Sequence, residues 1–292
     1  MLDPRAGHLA MLAFSMLVAG SFALGALAAN EITPSALNAV RFWIATGVVG
    51  VALLLTIGVP RAAMQAPWRY ALLAVFLCTY FVLMFEGLKT APPVSAAAVF
   101  TLTPIMTAGF GWLLLRQVLT PRMALALLIG AIGAVWVIFR ADVAAILRFE
   151  VGRGEAIYFV GCAAHAMYTP LVRKLNRGES AAVFSFGVML AGSVLLTFWA
   201  WGDLMATDWA ALPAIVWWTI LYTAVFASAS TFVLLQFAAM RLPSSKVMAY
   251  TYLVPSWVIV WELVLGSAPP PALVLAGLGL TIWALVLLLR DE

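Results

Sequence analysis

Residues 81–104 read FVLMFEGLKTAPPVSAAAVFTLTP, and this stretch returns in outline 151 positions later. Phe81-Val82-Leu83 recurs as Phe232-Val233-Leu234, Pro92 as Pro243 and Pro104 as Pro255. Gly130 and Trp136 recur as Gly277 and Trp283 after a shortening of four residues. Apolar triplets coincide easily in so apolar a chain. The prolines weigh more, because proline is scarce at 15 of 292 residues.

Composition fixes the environment of the repeat. The chain is 65% hydrophobic and 10% charged, whereas soluble domains run at roughly 45–50% apolar and about 25% charged. A hydrocarbon core about 30 Å thick takes around 20 apolar residues as helix, since a helix satisfies its own backbone hydrogen bonds without water. Ten such stretches are expected, near 8–29, 34–57, 68–89, 94–115, 122–139, 154–173, 181–201, 212–240, 244–265 and 271–289. Their connections are too short to hold a soluble module. No GxxxxGK[ST] phosphate loop occurs, so the chain does not draw on ATP by that route.

The net charge of +4 is spread over short loops and forms no stripe, so no nucleic-acid partner is expected. Arg5, Arg61, Arg69, Arg116, Arg122, Arg173, Lys174, Arg177, Arg241, Lys246 and Arg290 fall on one side of the spans. Lys89, Arg140, Arg148 and Arg153 fall on the other. By the positive-inside rule both termini are expected in the cytoplasm. Ala26-Leu27-Ala28 resembles a signal-peptidase site, but Gly7 of the first span matches Gly154 of the sixth, so the first span is expected to stay. Cys78 and Cys162 match no metal or redox spacing and read as small buried residues.

Pairing spans 3, 4 and 5 with 8, 9 and 10 makes five spans the repeating unit. Five is odd, so the second copy starts on the opposite face of the membrane. The fold expected is an all-α membrane protein of ten transmembrane helices in two inverted five-helix repeats, residues 1–148 and 149–292. Repeats of this kind are how many secondary transporters hold a small solute between their halves.

Polar residues inside the spans mark the candidate site, because a charge at a helix centre costs about 2.5–3.5 kcal/mol on insertion scales. His165 is the deepest. Tyr158, Cys162, His165 and Thr169 share one helical face, with Tyr168 adjacent. Thr79, Tyr80, Thr101, Ser228, Thr231 and Tyr250 lie at comparable depth, and with His165 and Tyr168 they form the substrate-binding set. Interhelical hydrogen bonding is the alternative for the hydroxyls. Pro104 and Pro255 each remove a backbone hydrogen bond mid-span and are read as hinge or gating positions, a static packing kink being the alternative. Lys246 heads a stripe with Tyr250, Leu253 and Trp257. Arg41, Glu86 and Glu262 sit toward the outer span ends, where snorkelling to headgroups is expected and a gate salt bridge is the alternative. The only other histidine is His8 and no acidic cluster accompanies it, so neither metal nor cofactor is expected.

On particular residues the chain resembles the drug/metabolite transporter superfamily in its form with two EamA-type repeats. They are Arg41-Phe42-Trp43-Ile44-Ala45, Ala91-Pro92-Pro93-Val94-Ser95-Ala96-Ala97-Ala98, Leu102-Thr103-Pro104, Trp112-Leu113-Leu114-Leu115 and Leu119-Thr120-Pro121. Family members commonly carry Gly-Glu after this run. Here Arg116-Gln117 and Gly266-Ser267 stand instead, which removes support for any role of that glutamate. The pattern most resembles the YddG-type exporters of aromatic amino acids. The resemblance implies a multi-pass protein of the bacterial inner membrane, monomeric or weakly dimeric, which exports small amphipathic metabolites by alternating access. A structural or chaperone subunit, or an enzyme on a lipid-linked substrate, is the other class. The enzyme would need a reactive cluster, and neither paired intramembrane carboxylates nor a Ser/His/Asp set is present in the sequence.

Overall fold

The computed structural model describes residues 4–289 except 240, 243–246 and 248. Pro243 and Lys246 therefore lie outside the described residues. Among those described, every regular element is helical and none is a strand. In chain order the elements are α1 (Pro4–Ala28), α2 (Pro34–Leu55), α3 (Trp68–Leu88), α4 (Pro93–Phe100), α5 (Thr103–Leu115), α6 (Pro121–Ile138), α7 (Val143–Arg148), α8 (Arg153–Leu175), α9 (Ala181–Trp199), α10 (Trp201–Ala206), α11 (Ala214–Ala224), α12 (Thr231–Ala239), α13 (Val254–Val264) and α14 (Ala272–Leu289). A 3₁₀ turn at Arg61–Met64 precedes α3 and another at Tyr250–Leu253 precedes α13. A π-helical turn, Val225–Ser230, joins α11 to α12.

Eight helical stretches among the described residues are long and apolar enough to cross a membrane. They coincide with all the expected spans but the sixth and ninth. The sixth is the 23-residue α8, which has the length but carries Arg153, Glu155, His165, Arg173 and Lys174. The ninth is divided, its described part being the turn at Tyr250–Leu253 and the 11-residue α13. The exterior is the apolar one a lipid-facing bundle requires, with Leu55, Phe198, Trp218 and Val264 largely exposed. Trp68, Trp201 and Trp218 stand near helix ends, where an interfacial belt holds tryptophan.

The two repeated prolines do more than bend their helices. Pro104 falls in the first turn of α5, after α4 has ended at Phe100. Pro255 falls in the first turn of α13, after the 3₁₀ turn. Proline lacks the donor that an interior position needs and tolerates the first turn, so each span is split at the residues just before it.

Packing joins the early helices to the late ones. α3 and α5 lie along α8, α6 along α14, α2 and α3 along α9, and α1 along α11, α12 and α13. The closest approaches are between glycines. A Cβ on Gly154 would stand 2.3 Å from the Gly87 carbonyl oxygen, and one on Gly133 would stand 2.6 Å from that of Gly277. Backbone cannot yield as a flexible side chain does, so Gly154→Ala should destabilise by about 1–3 kcal/mol. Thermal unfolding in detergent should show a clear fall for Gly154→Ala and none for Gly202→Ala, where a Cβ meets open space.

Candidate functional site

The helical face predicted on α8 is occupied by a cluster of rings. The Tyr158 hydroxyl donates to that of Tyr80 on α3 at 3.1 Å. The Tyr80 ring centroid lies 4.6 Å from that of His165 and 4.8 Å from that of Phe81. Phe100, at the end of α4, approaches His165 edge-on at 5.8 Å, and Tyr168 stacks on the other side of the imidazole at 6.0 Å. Phe22 on α1 closes the cluster against Phe100 and Tyr158. Elements from both repeats therefore meet in one packed aromatic cluster, and such pairs each contribute about 0.5–1.5 kcal/mol beyond their area.

Burial leaves polar atoms without hydrogen-bond partners, among them His165 Nδ1 within the ring cluster and, elsewhere in the bundle, the hydroxyls of Thr107, Tyr252 and Ser256. In an apolar interior an unpaired polar atom costs about 1–3 kcal/mol. Side chains in this state mark surfaces that a solute or water must complete. Beside the ring cluster, α5, α6 and α8 enclose a cleft of about 210 Å³ lined by Pro104, Thr107, Gln117, Thr169, Pro170 and Arg173 among others. Thr169 lies one turn from His165 and donates to its carbonyl at 3.2 Å. Pro170, an interior proline of α8, was not singled out from sequence, though its position within a span was the available signal.

Arg41 requires a correction. Its expected snorkelling to the headgroups does not occur: the side chain turns inward from α2 and is 0% exposed. Nε and Nη2 donate to the Ser228 hydroxyl at 3.1 and 2.9 Å, and Nη1 donates to Asn38 Oδ1 at 3.4 Å. The guanidinium carbon stands 3.9 Å above the Phe81 ring, a cation–π contact that joins it to the aromatic cluster. Ser228 meets it from the π-helical turn. The gate of Arg41 with acidic residues does not form either, since Glu86 pairs with Lys89 at 2.7 Å and the acceptors of Arg41 are Ser228 and Asn38. Asn38, one turn before Arg41 on the same helix, was legible as an i, i+3 pair and was missed.

Of the sequence-predicted set, Tyr80, His165 and Tyr168 come together, and Ser228 joins them through Arg41 and Phe81. Thr101 is buried beside Phe100 but its hydroxyl donates to the Ala98 carbonyl at 2.7 Å. Thr231 is likewise turned onto its own helix, to Ala227 at 3.1 Å. Both are therefore packed hydroxyls. Thr79 is half-buried. Tyr250 sits elsewhere, its hydroxyl 2.9 Å from His8 Nδ1 in a separate cluster with Met11, Leu127 and Leu285. No group of three His, Cys, Asp or Glu residues that could hold a metal ion occurs among the described residues.

One end of the bundle is tied by charge. Arg69, second residue of α3, donates from Nη2 to Glu179 Oε1 at 2.7 Å and from Nη1 to the Leu175 carbonyl at 2.6 Å. Tyr70 donates to the Ala63 carbonyl at 2.8 Å. These bonds bind the first 3₁₀ turn, α3 and the α8–α9 connection together.

A model of the EamA-like transporter family matches residues 5–139 and again residues 152–290. The chain belongs to that family and has its two-repeat architecture. A Bacillus subtilis (strain 168) protein described as "Uncharacterized transporter YyaM" is 24% identical over 262 residues, covering 89% of this chain and 86% of its own. A solved crystal structure with 22% identity superposes at a TM-score of 0.70, covering 97% of this chain and 94% of the other, and shares its fold. Family and relative alike carry transporter names and not enzyme names. The chain is a multi-pass membrane protein, and its family's work is the passage of small molecules through lipid.

The Arg69 hydrogen bond lowers the Glu179 carboxyl from the ordinary 4.5 to about 2, against the opposing effect of burial and with help from the Arg177 backbone N–H. A pKa depressed on folding adds stability that is present above the unfolded value and lost as pH falls toward the folded one. The melting temperature of the wild type should therefore exceed that of Glu179→Gln at pH 6, and the two should converge between about pH 4.5 and 2. Parallel curves over that range would deny the linkage.

Proposed function

We propose that the chain is a secondary carrier or facilitator of ten spans in two inverted halves, residues 1–148 and 149–292. It exports small amphipathic metabolites, aromatic and other neutral amino acids foremost, across a bacterial inner membrane by alternating access. Both termini face the cytoplasm, and the working unit is a monomer or weak dimer.

One observation carries this reading: the packing between the halves repeats itself when the halves are exchanged. α3 against α8 has its counterpart in α12 against α1. α5 against α8 has its counterpart in α13 against α1, and α3 against α9 in α11 against α2. The pairs α2 with α9, α4 with α13 and α6 with α14 are their own counterparts. Individual contacts follow. A Cβ on Gly154 would meet Ala91 at 2.6 Å, and one on its repeat mate Gly7 would meet Leu242, the repeat mate of Ala91, at 2.9 Å. Two inverted halves with interchangeable packing have two near-equivalent arrangements, each opening the centre to one side. Pro104 and Pro255, standing where spans 4 and 9 are split, supply corresponding hinges in the two halves.

The ring cluster supports this substrate class. His165, Tyr80, Phe100 and Tyr168 offer ring faces, and the unpaired imidazole nitrogen and threonine hydroxyls offer polar contacts. Such a lining suits a solute with an aromatic or apolar body and a small polar head. The cleft toward Gln117 and Arg173 supplies its approach from the cytoplasm.

Proteoliposomes containing the purified chain should pass radiolabelled tryptophan, phenylalanine or threonine faster than empty vesicles. No acceleration with any small solute would end the carrier reading. At matched reconstitution His165→Leu or Tyr80→Ala should slow transport roughly two- to tenfold. Trp218→Ala, at a lipid-facing position, should leave it unchanged; equal effects would displace the site from the ring cluster.

A further inference from the structure

We propose that Arg41 is the receptor for a substrate carboxylate, so that the chain carries organic anions or zwitterions with a carboxylate beside an aromatic or apolar body. This rests on the transport reading above and narrows it.

Three features of the geometry point to an anion. First, Arg41 is a fully buried guanidinium that no carboxylate pairs with among the described residues; both its acceptors are neutral oxygens. A buried cation without a counter-charge is costly, and retaining one inside a bilayer calls for a ligand that supplies the charge. Second, the Nε/Nη2 edge is the side that takes both oxygens of a carboxylate in parallel. Here a single hydroxyl oxygen, that of Ser228, spans both donors. The acceptor count is one short of what the edge can hold, and a carboxylate would replace a bridging neutral oxygen with two charged ones. Third, Ser228 belongs to the π-helical turn, where Ser230 donates to the Val225 carbonyl five residues back at 2.9 Å. Such turns recur at functional sites, and the cap over Arg41 stands on one.

The rest of the ligand can be placed from the same contacts. Phe81 lies under the guanidinium and against the Tyr80 ring, which also neighbours His165, Phe100 and Tyr158. A carboxylate at Arg41 would therefore put an attached apolar or aromatic group toward Tyr80 and His165. A lone cation favours a monoanion over a phosphate, which carries more charge than one guanidinium balances. Glu155, the buried acid on α8, accepts from Ser95, and the partners of Arg41 are Ser228 and Asn38, so the two do not pair.

The test compares acid with amide. In wild-type proteoliposomes, 3-phenylpropionate should compete with radiolabelled phenylalanine at least about tenfold more strongly than phenylalaninamide. 3-Phenylpropionate should also raise the melting temperature of the purified protein, and the amide should not. Arg41→Gln should bring the two competitors to parity, Arg41→Lys should keep part of the preference, and Ser228→Ala should preserve it. Equal competition by acid and amide in the wild type overturns the assignment without any variant, and so does an unchanged preference in Arg41→Gln. If phenylalanine is not transported yet 3-phenylpropionate stabilises the wild type and not Arg41→Gln, the amino-acid reading falls and the receptor stands.

Discussion

Hydrocarbon offers no water to complete the hydrogen bonds of a polar group, and this constraint organises the molecule. Backbone groups are satisfied within helices, and the outer faces carry Leu55, Phe198 and Val264 with little cost. Polar side chains have then been sorted by what can satisfy them. Thr101, Thr223 and Thr231 turn back onto carbonyls of their own helices, and Thr46 pairs with Ser193 across α2 and α9 at 3.0 Å. Among the groups left after that sorting are Arg41, held by the neutral oxygens of Ser228 and Asn38, and His165 with one nitrogen unpaired, joined through Phe81 and Tyr80.

Asymmetry of chemistry on symmetric packing follows. The register that pairs Gly7 with Gly154 pairs Val18 with His165, and the register of the later spans pairs Tyr80 with Thr231. The α3–α8 interface thus carries the Tyr80 and His165 rings, while its counterpart on α1 carries a different set, in which Trp257 donates to the Ser15 hydroxyl and Tyr222 to the Leu17 carbonyl. The packing pattern is shared between the repeats, and the side-chain chemistry is not. Glycine contacts at Gly87–Gly154 and Gly133–Gly277 hold helix backbones together across the repeats without bulky side chains between them.

Much of this was legible in residue spacing. The aromatic face of α8 could be read because positions 158, 162, 165 and 169 fall on one side of a helix, and the split spans because proline cannot continue a hydrogen-bonded interior. The membrane class followed from composition and the two-repeat organisation from the echo of residues 81–104. Arg41 was misread for a physical reason: depth along a helix does not reveal which way a long side chain points, and the hydroxyl that draws it inward lies far off in sequence on a π-helical turn without a period of its own. Tyr250 was misplaced similarly. Its 3₁₀ turn rotates it away from the regular α register, toward His8.

The central claim is a single chamber that reaches either side of the membrane in turn, and accessibility tests it most directly. With Cys78 and Cys162 replaced by alanine, Thr107→Cys, in the cleft beside the ring cluster, would be reacted with a membrane-impermeant maleimide applied to right-side-out and, separately, inside-out vesicles. The account predicts labelling from both faces and protection from both by a transported solute. Labelling confined to one face, or protection on one face alone, would contradict it.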